Sequence, residues 1–126
     1  MDLETLFSIS NLFIMPFWLL MIFLPFWSWT ERIMKTYWPI LPPAIIYLVV
    51  VAPMIGSVLL SLSNPTLDGV ISLLSTPAGA TVGWAHFLAF DLFVGRWAYL
   101  DSRQHSIPWY VTSPSLFFVL MLGPVG

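Results

Sequence analysis

Long apolar runs separated by short polar clusters dominate this chain. No Asp, Glu, Lys or Arg occurs between Thr5 and Thr30, and the run Leu6 to Trp29 exceeds the roughly 20 residues a helix needs to cross hydrocarbon. A second uncharged stretch, Thr36 to Leu67, contains the apolar run Pro42 to Leu62. Pro42 and Pro43 suit a first helical turn, where a missing N–H leaves nothing unpaired. A third run extends from about Pro77 or Thr81 to Tyr99, and a fourth begins near Ser113. The pattern predicts an all-α fold: a polytopic membrane bundle of four transmembrane helices forming one domain over 1–126, with spans at about 6–29, 41–62, 79–100 and 113–126. The fourth is shorter than a full span, so it is either incomplete or interfacial. Pro16, Pro25 and Pro53 fall inside predicted spans, where each favours a kink, and Gly79 with Gly83 has the small-xxx-small spacing of a close helix contact.

Composition sharpens the pattern into an exclusion. With 59% apolar and only 8% charged residues, the chain lies far from the roughly 25% charged of soluble domains, and a disordered segment or a nucleic-acid binder is excluded with them. There is no Cys, hence no thiolate metal site and no Cys nucleophile. Asp2 and Glu4 stand where a secretory signal carries basic residues, so the first run reads as a retained span. All four basic residues, Arg32, Lys35, Arg96 and Arg103, fall on one side; Asp2, Glu4 and Asp68 fall on the other. The positive-inside rule puts the basic loops in the cytoplasm or its stromal equivalent and the N-terminus across the membrane. Trp27, Trp29, Trp38, Trp97, Tyr99, Trp109 and Tyr110 gather at the basic level as an aromatic belt.

The stretch Gly83 to Arg103 carries the chemistry, because it places His86, Asp91 and Arg96 on one membrane helix. An ionised group at mid-span costs about 2.5–3.5 kcal/mol on insertion scales, so Asp91 needs a partner, a proton or a function. Five-residue spacing turns a helix by about 140° beyond one turn, so neither His86 nor Arg96 shares the face of Asp91. Asp91 is open to two readings, an interhelical hydrogen bond or a ligand- or proton-handling group, and the cost of burial favours the second. His86 has three: a core histidine, an axial ligand to a pigment magnesium or haem iron, or a proton donor. A metal site of His86 and Asp91 alone lacks ligands. Arg96, Asp101, Arg103 and His105 fit a solvated loop with a snorkelling flank.

The pattern Gly83, Trp84, His86, Asp91, Gly95, Arg96, Trp97, Asp101 and Arg103, followed by Pro108, resembles the abscisic-acid-deficient-four-like family, as do the Leu6 to Trp29 run and the Pro39 to Pro43 turn. That family includes plant neoxanthin synthase and relatives in cyanobacteria. The resemblance implies a thylakoid protein that opens a xanthophyll epoxide to an allene by acid and base chemistry with no required cofactor. Asp91 would be the acid and His86 its partner. Arg96 or Asp101 would place a ring hydroxyl, and Trp84, Trp97, Asp101 and Arg103 would line the ligand site. The alternative is a non-catalytic subunit that packs in a photosystem or a homo-oligomer and holds carotenoid or chlorophyll, with His86 as the magnesium ligand. A third, blander reading is an assembly factor contacting only lipid and protein.

Overall fold

Asp2 sets the start of the first helix, its carboxylate accepting the Thr5 N–H at 2.8 Å as an N-cap. The computed structural model describes residues 2–126 and contains, among them, seven α-helices and no strand. They are α1 (Leu3–Phe23), α2 (Ser28–Met34), α3 (Leu41–Val51), α4 (Ile55–Ser63), α5 (Leu67–Leu74), α6 (Pro77–Gln104) and α7 (Trp109–Leu122). Three units are long and apolar enough to cross a membrane: α1, the Leu41–Ser63 pair α3–α4, and α6. α7 is apolar but shorter.

The run expected to span 6–29 is two helices. Leu24 leaves the helical region at φ −124° and ψ 47°, as a residue before proline tends to, and Pro25 has no N–H with which to continue the ladder. Pro16 is accommodated inside α1. At the break three hydroxyls serve carbonyls that the regular helical ladder no longer reaches, Leu24 O also keeping a long bond from the Trp27 N–H at 3.3 Å. Ser113 donates to Ile22 O at 2.7 Å, Thr30 to Leu24 O at 2.9 Å and Tyr99 to Pro25 O at 2.9 Å. In a bilayer such carbonyls have no water to turn to, so irregular backbone survives where protein supplies the donors.

Pro53 has a milder effect, tightening Ala52–Met54 into a 3₁₀ turn between α3 and α4. The Asp68 connection is more ordered than its polarity suggested: Thr66 accepts the Gly69 N–H at 3.1 Å and starts α5. Thr76 repeats the device for α6, accepting the Gly79 N–H at 3.0 Å. Gly79 and Gly83 lie against Leu73 and Leu74 of α5, so the partner of this small-residue pair is in the same chain. A Cβ on Gly79 would collide with the Leu73 carbonyl.

α6 is the central helix, packing against α1, α3, α5 and α7. One apolar cluster joins Ile14, Trp18 and Met21 of α1 to Leu88, Leu92 and Tyr99 of α6 and to Leu116 and Val119 of α7. A smaller one joins Ile46 and Val50 of α3 to Ala85. The outward surface carries Leu12, Phe23, Leu60 and Phe90, large apolar side chains that suit hydrocarbon rather than water. α6 runs past the expected end near residue 100 and stops in a Schellman turn, with Ile107 N–H bonded to Ser102 O at 2.8 Å and Ser106 left-handed at φ 54°. Pro108 then caps α7, which starts at Trp109 rather than near Ser113.

Candidate functional site around Asp91

Asp91 lies at the midpoint of α6, farther from either end than the other charged residues of that helix, Arg96, Asp101 and Arg103. It is half-buried, and its carboxylate faces the end of α7. Gly123 makes that approach close: its φ is +42°, and a Cβ there would sit 3.1 Å from Oδ1. Among the described residues the carboxyl has neither a hydrogen-bond donor nor an ion-pair partner. Trp84 lies seven residues back, about two turns, and therefore close to the same face. Its indole Nε1 donates to Asn11 Oδ1 of α1 at 3.0 Å, and its ring tilts against Phe7 at 5.8 Å.

His86 is elsewhere. It is exposed on the α3 side, stacked on Phe90 with centroids 4.7 Å apart and 5.8 Å from Tyr47. Together with Tyr47, Met54, Val58, Val82 and Gly83 it lines an apolar cavity of about 170 Å³. The helical turn that separates His86 from Asp91 in the sequence is thus kept in space, and the two expected partners do not meet.

Arg96 is committed to the backbone. Its Nε donates to Thr36 O at 3.2 Å and its Nη2 to Lys35 O at 3.1 Å, while the guanidinium lies 4.3 Å from the Tyr37 ring centroid. It satisfies carbonyls just beyond the end of α2, a role that a fork of fixed donors performs well. Trp97 points outward, 61% exposed. At the end of α6, His105 Nδ1 lies 3.0 Å from the Asp101 carbonyl oxygen and 3.2 Å from its carboxylate Oδ1. Arg103 approaches Glu31 Oε2 at 3.9 Å and lines an interfacial cavity. Of the seven candidate residues, Trp84 shares the Asp91 side of α6, His86, Arg96 and Trp97 lie on others, and Asp101 and Arg103 sit at its polar end.

Three functional groups escaped the sequence reading: Thr30, Tyr99 and Ser113, which hold the α1 break. Their signal was Pro25 in an apolar run together with hydroxyls in other apolar segments, but nothing local says which hydroxyl meets which carbonyl. The basic residues do gather at one end, through the contacts of Arg96 with the Lys35 segment and of Arg103 with Glu31.

Three apolar spanning helices, a shorter apolar fourth and one unpaired carboxyl at mid-depth define a polytopic integral membrane protein. The model of the ABA DEFICIENT 4-like family matches residues 5–126, and the chain belongs to that family. This makes it a carotenoid- and abscisic-acid-related membrane protein. No curated protein and no solved structure matches the chain.

Proposed function

We propose that the protein is a neoxanthin synthase-like xanthophyll isomerase of the thylakoid membrane, with its basic end on the stromal or cytoplasmic side. The observation that carries this reading is the unpaired Asp91 carboxyl at mid-span, since a polar group kept there without a partner is expensive unless it has work on a ligand. Opening an epoxide to an allene is redox-neutral and returns the proton it uses. The Asp91 carboxyl protonates the epoxide oxygen as the carbon–oxygen bond breaks. The carboxylate so formed removes a proton from the neighbouring carbon, whose C–H electron pair becomes the new double bond. One carboxyl can serve in both steps, which removes the need for His86 on the far side of α6. Trp84, fixed by Asn11 about two turns away toward the same side of α6, offers an aromatic surface for the polyene.

The decisive experiment is Asp91→Asn assayed in membranes containing the epoxy-xanthophyll. Isomerisation should fall by at least about 10²-fold, the usual yield of a general acid or base. Full activity in the Asn variant would rule this role out.

One observation favours a second reading, that of a pigment-binding subunit. The His86 imidazole is exposed beside an apolar cavity and has no hydrogen-bond partner among the described residues. It is therefore free to act as an axial ligand to a chlorophyll magnesium. A chlorophyll that co-purifies with the wild type and is lost from His86→Ala, with Asp91→Asn unaffected, would favour the subunit over the isomerase.

A further inference from the structure

The charges of this protein are segregated more strongly than its net charge suggests. The chain carries a formal −2, yet its basic end holds Arg32, Lys35, Arg96 and Arg103 against only two carboxylates, Glu31 and Asp101, a local excess of 4 − 2 = +2. Three of those cations are engaged. Lys35 pairs with Glu31 at 2.9 Å, Arg96 caps the backbone beyond α2, and Arg32 lies 5.3 Å from the Trp29 ring centroid. Arg103 is different. Its nearest anion is Glu31 at 3.9 Å, already held by Lys35, and among the described residues its guanidinium makes no hydrogen bond.

Arg103 lines a cavity of about 330 Å³ between the α1–α2 corner and the α6–α7 connection. Ser106 stands on the same wall, its hydroxyl without a protein partner and its backbone locked by the Schellman turn. Two aromatic rings also line the cavity, Phe26 and Trp109, meeting edge to face at 6.2 Å. A cation and a hydroxyl above two rings, at the level where a spanning bundle meets headgroups, match an amphiphile with an anionic head and apolar tails.

We infer that this cavity is a binding site for an anionic glycerophospholipid. The Arg103 guanidinium and the Ser106 hydroxyl donate to the phosphodiester oxygens, and the acyl chains leave past Phe26 and Trp109. A planar guanidinium suits phosphate oxygens two at a time, and basic pockets between membrane helices on the positive-inside face are where such headgroups settle. Glu31 competes with the lipid phosphate for Arg103, so removal of its charge strengthens the site. Inorganic phosphate offers the same headgroup chemistry without the chains and binds far more weakly.

The test uses the full chain in mild detergent, with lipid retention read by native mass spectrometry and thermal unfolding read alongside. Phosphatidylglycerol should be retained and should raise the melting temperature, whereas phosphatidylcholine and inorganic phosphate at matched concentration should do neither. Arg103→Gln should weaken phosphatidylglycerol binding about tenfold, the loss of one charge-assisted contact. Arg32→Gln, outside the cavity, should leave binding as it was. Glu31→Gln should tighten it, a gain that misfolding does not mimic. Equal retention of phosphatidylcholine, an unchanged affinity in Arg103→Gln, a loss in Glu31→Gln, or a full response to inorganic phosphate alone would each overturn the proposal.

Discussion

Gly95 of α6 leaves the space that the Trp18 indole of α1 fills. A Cβ at position 95 would stand 2.5 Å from Trp18 Cη2 and 2.8 Å from Cζ3, and Trp18 is only 1% exposed, with no room to retreat. The ring belongs to the apolar cluster that joins α1, α6 and α7.

Gly95→Ala therefore overpacks a rigid ring rather than a flexible chain end. It should cost about 1–3 kcal/mol, read as a lower midpoint of thermal or denaturant unfolding in detergent. Adding Trp18→Phe should recover part of that loss, because the two positions share one volume. A Gly95→Ala protein as stable as the wild type would show that the helices separate there at no cost.

Tyr99→Phe keeps the ring and removes one hydroxyl, leaving the Pro25 carbonyl without its donor. An unsatisfied buried carbonyl costs about 1–3 kcal/mol, so the variant should unfold earlier and show faster amide exchange around Phe26 and Trp27. Unchanged exchange at the corner would mean that water or lipid headgroups already serve that carbonyl.

Arg96→Lys distinguishes support from chemistry. A lysine retains the charge but cannot reach both carbonyls from one plane or stack on Tyr37 as guanidinium does. Stability should fall by about 1–2 kcal/mol. Were Arg96 to act on substrate instead, stability would hold and turnover would drop.

Acid should weaken the ion pairs that Glu31 makes with Lys35 at the end of α2 and with Arg103 of α6. The hydrogen bond from Lys35 to Glu31, aided by the nearby Lys35 and Arg103 charges, holds the Glu31 carboxyl below its ordinary 4.5. A carboxyl with a depressed folded-state value contributes stability above its unfolded value and loses it as pH falls through the folded one. The wild type should thus exceed Glu31→Gln in melting temperature at pH 7 by a small margin, since the pair is partly exposed, and the two should converge as pH falls below 4.5 and Glu31 takes up its proton in the folded state. A gap unchanged across that whole acid range would locate the effect of Glu31 elsewhere.

The spans were legible because hydrophobic length is a local quantity. Leu6–Trp29, Pro42–Leu62 and the run from about Pro77 or Thr81 to Tyr99 each declared a crossing, and Asp91 stood out by its isolation in the third. Element ends were less legible. Pro25 could have kinked a helix, as Pro53 does, or been absorbed, as Pro16 is; the outcome depends on Tyr99, Thr30 and Ser113, which lie on three other helices. α5 was missed because a polar connection hides a helix whose only cue is Thr66 at its cap. For the site, the rotation between His86 and Asp91 correctly separated them, while the expectation that they cooperate came from the chemistry and found no geometric counterpart. The commitment of Arg96 to Lys35 and Thr36 crosses sixty positions of sequence, and no periodicity within α6 encodes it.

The corner at Leu24–Trp27 also has a place in time. During synthesis Thr30 follows its carbonyl by six residues, but Tyr99 follows Pro25 by 74 and Ser113 follows Ile22 by 91. The first helix thus enters the bilayer long before two of its three end-fasteners exist. Until α6 and α7 arrive, the corner must stay at the headgroup level, where water can stand in for them. Helices made later thereby finish an earlier one, and a nascent chain arrested ahead of Tyr99 should present its corner to aqueous reagents that the folded protein keeps out.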